Sequence, residues 1–148
     1  MRKRPSARLL ILDPTNRLLL FRFEHKRGAL AGEVFWATPG GGLEGDESFS
    51  EAAIRELHEE TGIVAREVGE PVARREFTLT MPDGEEVLAD ERYFVIRVQS
   101  QRVSNAAWTP LEVEVMTDHR WWSIAELAAT EATVWPADLP DLLQTQAC

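Results

Sequence analysis

One stretch, Gly41 to Ile63 (GGLEGDESFSEAAIRELHEETGI), restricts this chain more than any other. Ser48 followed three residues later by Glu51 is a capping-box signature, so a helix is expected to start near Ser48. Gly62 after Thr61 is a natural stop, since a left-handed closing residue costs glycine nothing. At 100° per residue, Ala53, Ile54 and Leu57 gather on one flank, expected to face the core. Glu56, Glu59 and Glu60 gather on another, because spacings of three and four residues bring side chains together. Like charges so placed cost roughly 0.2–0.5 kcal/mol per pair, and more in a part-buried site. Arg55 cannot neutralise all three. Either the face is simply solvated, or a hard divalent cation sits among the oxygens, and an all-oxygen set suits Mg²⁺ or Mn²⁺ better than zinc.

Glycines stand immediately upstream. Pro39-Gly40-Gly41-Gly42 lets backbone amides and carbonyls approach a ligand with no side chain intervening. The string fits G-x5-E-x7-R-E-U-x-E-E-x-G-U, with U a bulky apolar residue. The fixed positions are Gly41, Glu47, Arg55, Glu56, Leu57, Glu59, Glu60, Gly62 and Ile63. At residue usage of roughly 5–7% per specified type, a chance match has odds on the order of 10⁻⁷. The stretch resembles the box of the Nudix hydrolase family, with every motif position filled. An EF-hand reading fails on spacing: that loop alternates its oxygen ligands and closes on a glutamate at its twelfth position, whereas these glutamates sit inside a helix.

At 148 residues, 44% apolar and 28% charged, the chain has the balance of one globular domain, residues 1–148, with a core that needs no staples. Its one cysteine, Cys148, allows no internal disulfide, and no apolar run is long enough to span a bilayer. A soluble cytoplasmic protein without membrane partners is expected. A net charge of −9 argues against nucleic-acid binding, which depends on neutralising phosphates. The same field repels a phosphate-bearing small substrate unless local cations reverse it, which again points to bound metal. Arg2, Lys3 and Arg4 could attract anions, but a disordered, solubilising terminus over residues 1–5 is the expectation.

Along the chain, Ala7–Leu12 and Arg17–Phe23 read as strands around the turn Asp13-Pro14-Thr15-Asn16, and so as a hairpin. Arg22 and Arg27 beyond it are candidate phosphate ligands, Phe23 a support for a base, and His25 a surface histidine; a solvated strand end fits the same residues. Val34–Thr38 reads as a strand entering the glycine turn. Glu67–Thr80 and Glu86–Gln99 read as extended runs joined by Met81-Pro82-Asp83-Gly84, and Tyr93–Ile96 is apolar enough for burial on both faces. Leu111–Val115 alternates as strands do, and Asp118–Ser123 introduces another strand. Ser123 with Glu126 caps a short helix, Ile124–Ala129, and Leu139, Leu142 and Leu143 suit a final one. This mixture implies an α/β fold, a mixed sheet with helices on both faces.

The resemblance sharpens the fold to the α/β/α sandwich of Nudix domains with a mixed central sheet. It implies Mg²⁺- or Mn²⁺-dependent hydrolysis of a phosphoanhydride in a nucleoside diphosphate linked to another moiety. Glu56, Glu59 and Glu60 are then the metal ligands, Glu56 and Glu60 foremost, joined by the carbonyl of Gly40 or Gly41. Arg55 orients a glutamate, and Glu47 assists a further metal or braces the loop. Members take a general base from the box, as Glu59 or Glu60 here, or from a later loop, where Glu112 and Glu114 lie; His119 is a further candidate. Trp108, Trp121, Trp122 and Trp135 offer either stacking surface or core. Many members are homodimers. The competing function is a non-catalytic sensor of a nucleotide metabolite that regulates a partner protein. Sensors of that kind can lose acidic box residues, and this chain keeps them all.

Overall fold

Side chains alternate across a strand, and here that alternation deals apolar residues to two clusters on opposite faces of one sheet. In the computed structural model, which describes residues 1–144, Ala7, Leu9 and Ile11 of β1 (Arg2–Leu12) belong to one cluster, Leu10 and Leu12 to the other. Leu19 and Phe21 of β2 (Leu18–Glu24) join the first, Leu18 and Leu20 the second. In β6 (Glu86–Arg97), Phe94 and Ile96 face one way, Tyr93 and Val95 the other, so Tyr93–Ile96 is covered on both faces. The first cluster packs under α1 (Phe49–Thr61) and the C-terminal end of α2 (Pro110–Val115). The second packs under α3 (Ile124–Ala129) and α4 (Leu139–Gln144). Helices therefore flank the sheet on both sides.

The remaining strands are β3 (Val34–Ala37), β4 (Gly40–Gly42), β5 (Ala73–Thr80), β7 (Met116–Trp122) and β8 (Val134–Trp135). The order is β5-β6-β1-β2-β3-β8, with β4 also on β1 and β7 also on β2. The expected hairpin shrinks to one paired position, Leu12 with Leu18. Each strand is claimed elsewhere. β1 runs parallel to β6 along its whole length and takes β4 on its other side at Ser6–Arg8. β2 lies between β3 and β7. The glycine turn is thus itself a short strand, clamped to β1.

Four further expectations need correction. Residues 2–5 are not a disordered tail: they pair with Val87–Asp90 of β6, and Arg2 and Lys3 reach Glu85 and Asp90. Leu111–Val115 is helical, because Thr109 and Glu112 form a capping box with Pro110 in the first turn. The extended run at Glu67 becomes strand only at Ala73, where β6 offers a partner. His25 is buried and stacked on Phe35, with ring centroids 5.9 Å apart. Cys148 lies outside the described residues. Among these, no helix is long and apolar enough to cross a membrane.

Candidate active site

The site is built on α1. Ser48 Oγ accepts from the Glu51 amide at 3.1 Å, and Glu51 returns the bond to the Ser48 amide at 2.9 Å. Gly62 closes the helix at φ 80°. Ala52, Ala53 and Leu57 are wholly buried; two alanines in succession let the helix lie close on the sheet. Ile54, expected in the core, is only half-buried, and Ala52 takes its place. At 100° per residue, Glu60 falls about 20° from Ala53 and Glu56 about 60° from it. These two glutamates therefore sit within the inward arc rather than on a separate flank. They are 7% (Glu56) and 3% (Glu60) exposed, whereas the Glu59 side chain, at the rim, is 36% exposed.

The clamped glycines explain how carboxylates fit there. Gly40 adopts φ 135°, and a Cβ on it would fall 2.1 Å from the Ala7 carbonyl oxygen. Its N–H donates to Glu60 Oε2 at 3.0 Å. A Cβ on Gly41 would lie 2.5 Å from Glu56 Oε1. The bare backbone is the wall against which both side chains rest. The other end of Glu60 is pinned through its carbonyl, which accepts from Trp108 Nε1 at 2.9 Å.

A third carboxylate arrives from α2. Oxygens of Glu56, Glu60 and Glu112 all lie within 4.8 Å of one another. Burial, then the charge of Glu56, pushes the Glu60 carboxyl well above its ordinary range. Burial raises Glu56 too, against the pull of Arg55. Arg55 is spent on the outer wall. Its Nε and Nη2 grip Glu47 at 2.7 and 2.9 Å, and its Nη1 reaches Glu56 at 2.9 Å and Glu59 at 3.1 Å. Nη2 also donates to the Gly42 carbonyl at 2.9 Å. Glu47, held low by Arg55, accepts the Glu44 amide as well, so it braces the loop before the helix.

Other candidates lie apart. Arg27 is engaged by Glu114 at 2.6 and 3.1 Å, and Arg22 by Glu24 at 3.0 Å and Thr117 Oγ1 at 2.7 Å. None of these lines the cavity of about 460 Å³ bounded by Gly40–Gly42, Glu56, Glu59 and Glu112. His119 is exposed on β7, its ring 6.1 Å from that of Phe21. Two residues gain weight over the sequence reading. Glu112 separates from Glu114, and the signal was the Thr-Pro-x-Glu cap. Arg4 lines the cavity, and only its pairing in β1 could have revealed this.

A family model described as the NUDIX domain matches residues 2–143. The chain belongs to the Nudix family. Over 97 residues this Nudix protein is 29% identical to an uncharacterized Nudix hydrolase of Bacillus subtilis, YvcI, a match covering 66% of this chain and 55% of that one. The chain thus spans about half the length of that relative. The crystal structure of a MutT protein from Methanosarcina mazei Go1 superposes with a TM-score of 0.71 at 25% identity, over 97% of this chain and 92% of the other. The Nudix domain of Shewanella oneidensis NrtR, solved with ADP ribose, shares the fold at a TM-score of 0.68 and 16% identity, over 100% of this chain and 90% of that one. The mixed, curled sheet with helices on both faces is the Nudix fold.

Proposed function

We propose that this Nudix domain hydrolyses a phosphoanhydride in a nucleoside diphosphate linked to another moiety, with Mg²⁺ or Mn²⁺ held by Glu56, Glu60 and Glu112. The observation that carries this reading is the convergence of three carboxylates within 4.8 Å beside a glycine backbone, only Glu56 of them paired with Arg55. The donor set is all oxygen, as a hard divalent ion requires. Removing the Cβ at Gly41 is what gives Glu56 room in it. When bound, such ions neutralise phosphate oxygens and lower the pKa of a coordinated water.

The chain's own residues supply the rest. Arg55 fixes the rotamers of Glu56 and Glu59 and ties them to Glu47 and the Gly42 carbonyl, so the acidic wall keeps its shape. Glu59 is partly open to the cavity and can accept a proton from entering water. Of the two later glutamates, Glu112 is favoured over Glu114 at the metal, because Glu114 is taken up by Arg27. Arg22 and Arg27 would reach a phosphate only by releasing Glu24 and Glu114, so neither is assigned one. ADP ribose on the NrtR domain supports the substrate class, a nucleoside diphosphate derivative.

The test is Glu60→Gln. Against ADP ribose, diadenosine polyphosphates, nucleotide sugars and 8-oxo-dGTP, turnover of the best substrate falls about tenfold or more with loss of one ligand charge, while the melting temperature is kept. Wild-type rates in saturating Mg²⁺ would remove Glu60 from the metal. Tight binding without turnover by the unaltered protein would favour the sensor instead.

A further inference from the structure

The start of β1 delivers three cations, Arg2, Lys3 and Arg4, near the carboxylate cluster. Two are taken up: Arg2 by Glu85 at 2.9 Å, and Lys3 by Asp90 at 3.7 Å. Arg4 is different. Among the described residues it is the one partly buried arginine with no carboxylate within ion-pairing distance. Its Nη1 donates to Ser6 Oγ at 2.8 Å, and Ser6 is wholly buried, so the guanidinium is oriented by a neutral group on a rigid strand. Gly42 leaves room for it: a Cβ there would come within 3.3 Å of Nη2. Arg2 and Arg4 both line the cavity that holds Glu56, Glu59 and Glu112, but Arg2 is already paired with Glu85.

That arrangement is costly for a protein to keep without a reason. A guanidinium carries five N–H donors, and here one is used by a hydroxyl. Burial, then the nearby Arg8, lowers its pKa, while Glu91 and Glu56 attract it only from beyond contact distance. A planar fork of donors, partly withdrawn from water and aimed into a cavity, matches two oxygens of a phosphate group. We propose that Arg4 binds non-bridging oxygens of the substrate's diphosphate in the cavity that β1 shares with the carboxylates. This rests on the phosphoanhydride reading above. It gives the anion a cation belonging to the chain itself, in a molecule whose net charge of −9 otherwise repels it.

The experiment is calorimetric titration of the protein with ADP and with inorganic pyrophosphate in Ca²⁺, which suppresses turnover, together with kcat and KM in Mg²⁺. Arg4→Gln should weaken binding of both ligands roughly tenfold, the loss expected for a charge-assisted contact that is partly solvated, and should raise KM. Uptake of Ca²⁺ without nucleotide should be unchanged. Arg4→Lys, which keeps the charge but not the fork, should fall between, and covers the case in which the glutamine variant folds poorly. Lys3→Gln, at a residue outside the cavity lining and paired with Asp90, should leave both affinities within about twofold, since only long-range charge is lost. If Arg4→Gln and Arg4→Lys bind like wild type, Arg4 is structural and the proposal fails while the hydrolase reading stands. Equal losses in Lys3→Gln and Arg4→Gln would reduce the effect to general charge and also overturn it. If the unaltered protein takes up the ion but neither phosphate ligand, the proposal falls without touching the metal site.

Discussion

Gly41→Ala isolates the geometry of the acidic wall. Gly41 lies in β4 with an ordinary φ, so alanine can adopt its backbone conformation. The added methyl would start 2.5 Å from Glu56 Oε1 and 2.9 Å from its Cδ. Reaching ordinary contact at 3.4 Å moves that carboxylate oxygen by about 0.9 Å. The clash is with the far end of a side chain, so the helix and strand need not move, and an off-rotamer shift of this size costs about 0.5–1.5 kcal/mol. For a catalytic constellation, a displacement near 1 Å can cost about 10² in rate. The expected variant therefore melts within a few degrees of wild type, binds Mg²⁺ more weakly by calorimetry, and turns over about a hundredfold more slowly. The neighbouring change is the control. Gly40→Ala puts a methyl 2.1 Å from the Ala7 carbonyl oxygen and 2.9 Å from Arg8 Cα at φ 135°, all backbone, so it should compromise folding itself. Wild-type turnover and metal affinity in a folded Gly41→Ala protein would refute the claim that Glu56 must rest against bare backbone.

Two further outcomes follow. Glu112→Gln should lower Mg²⁺ affinity and turnover by about tenfold or more, whereas Glu114→Gln, which frees only an exposed arginine, should change turnover by less than about twofold; steady-state kinetics on both decides between them. In EDTA, calorimetric melting should show higher stability at pH 5 than at pH 8. Glu56 and Glu60 have folded pKa values above their usual 4.5, so the native state binds more protons in this window and stability is lost as pH rises through those values. The carboxylates held low, among them Asp13, Glu47 and Asp90, add stability that is already full above about pH 5, so they do not mask the trend. A flat or rising profile without metal would contradict the burial of the pair.

What could be read from the sequence was whatever is decided locally. Both ends of α1 are set by side chains within three residues of the helix, and the structure has the cap at Ser48 and the stop at Gly62. The two-sided burial of Tyr93–Ile96 follows from its apolar run. Pairing is not local. Nothing in Arg2–Arg4 announces that β6 will run parallel to it, so a strand there reads as a charged tail. Across Leu111–Val115 five residues carried both an alternating pattern and a cap, and the cap prevailed because Leu111 and Val113 face solvent, with no core for a strand to cover. The glutamates were grouped by spacing, but spacing of three and four does not say which flank faces inward; the alanines do, and they draw Glu56 and Glu60 in while leaving Glu59 at the rim.

The allocation of Arg55 then sets what the site needs. Arg55 stands within 4.0 Å of Glu44, Glu47, Glu56 and Glu59, and makes its bidentate contact with Glu47, which touches the loop rather than the cluster. Glu60 and Glu112 have no share in it. Two unit charges 4.8 Å apart at an effective dielectric near 20 repel by about 3.5 kcal/mol, a large part of the roughly 5–15 kcal/mol that holds a domain together. A chain that pairs its outer carboxylates so fully could have paired the inner ones, and β1 brings Arg4 to the same cavity. It leaves Glu60 and Glu112 with backbone amides alone, from Gly40 and Thr109. The charge that Arg55 and the backbone amides leave on these oxygens is relieved by protons or by an ion from solution, and a divalent cation competes with protons for them. Affinity for that ion is thus stability that folding forgoes, and an arginine placed among Glu56, Glu60 and Glu112 would restore the second by abolishing the first.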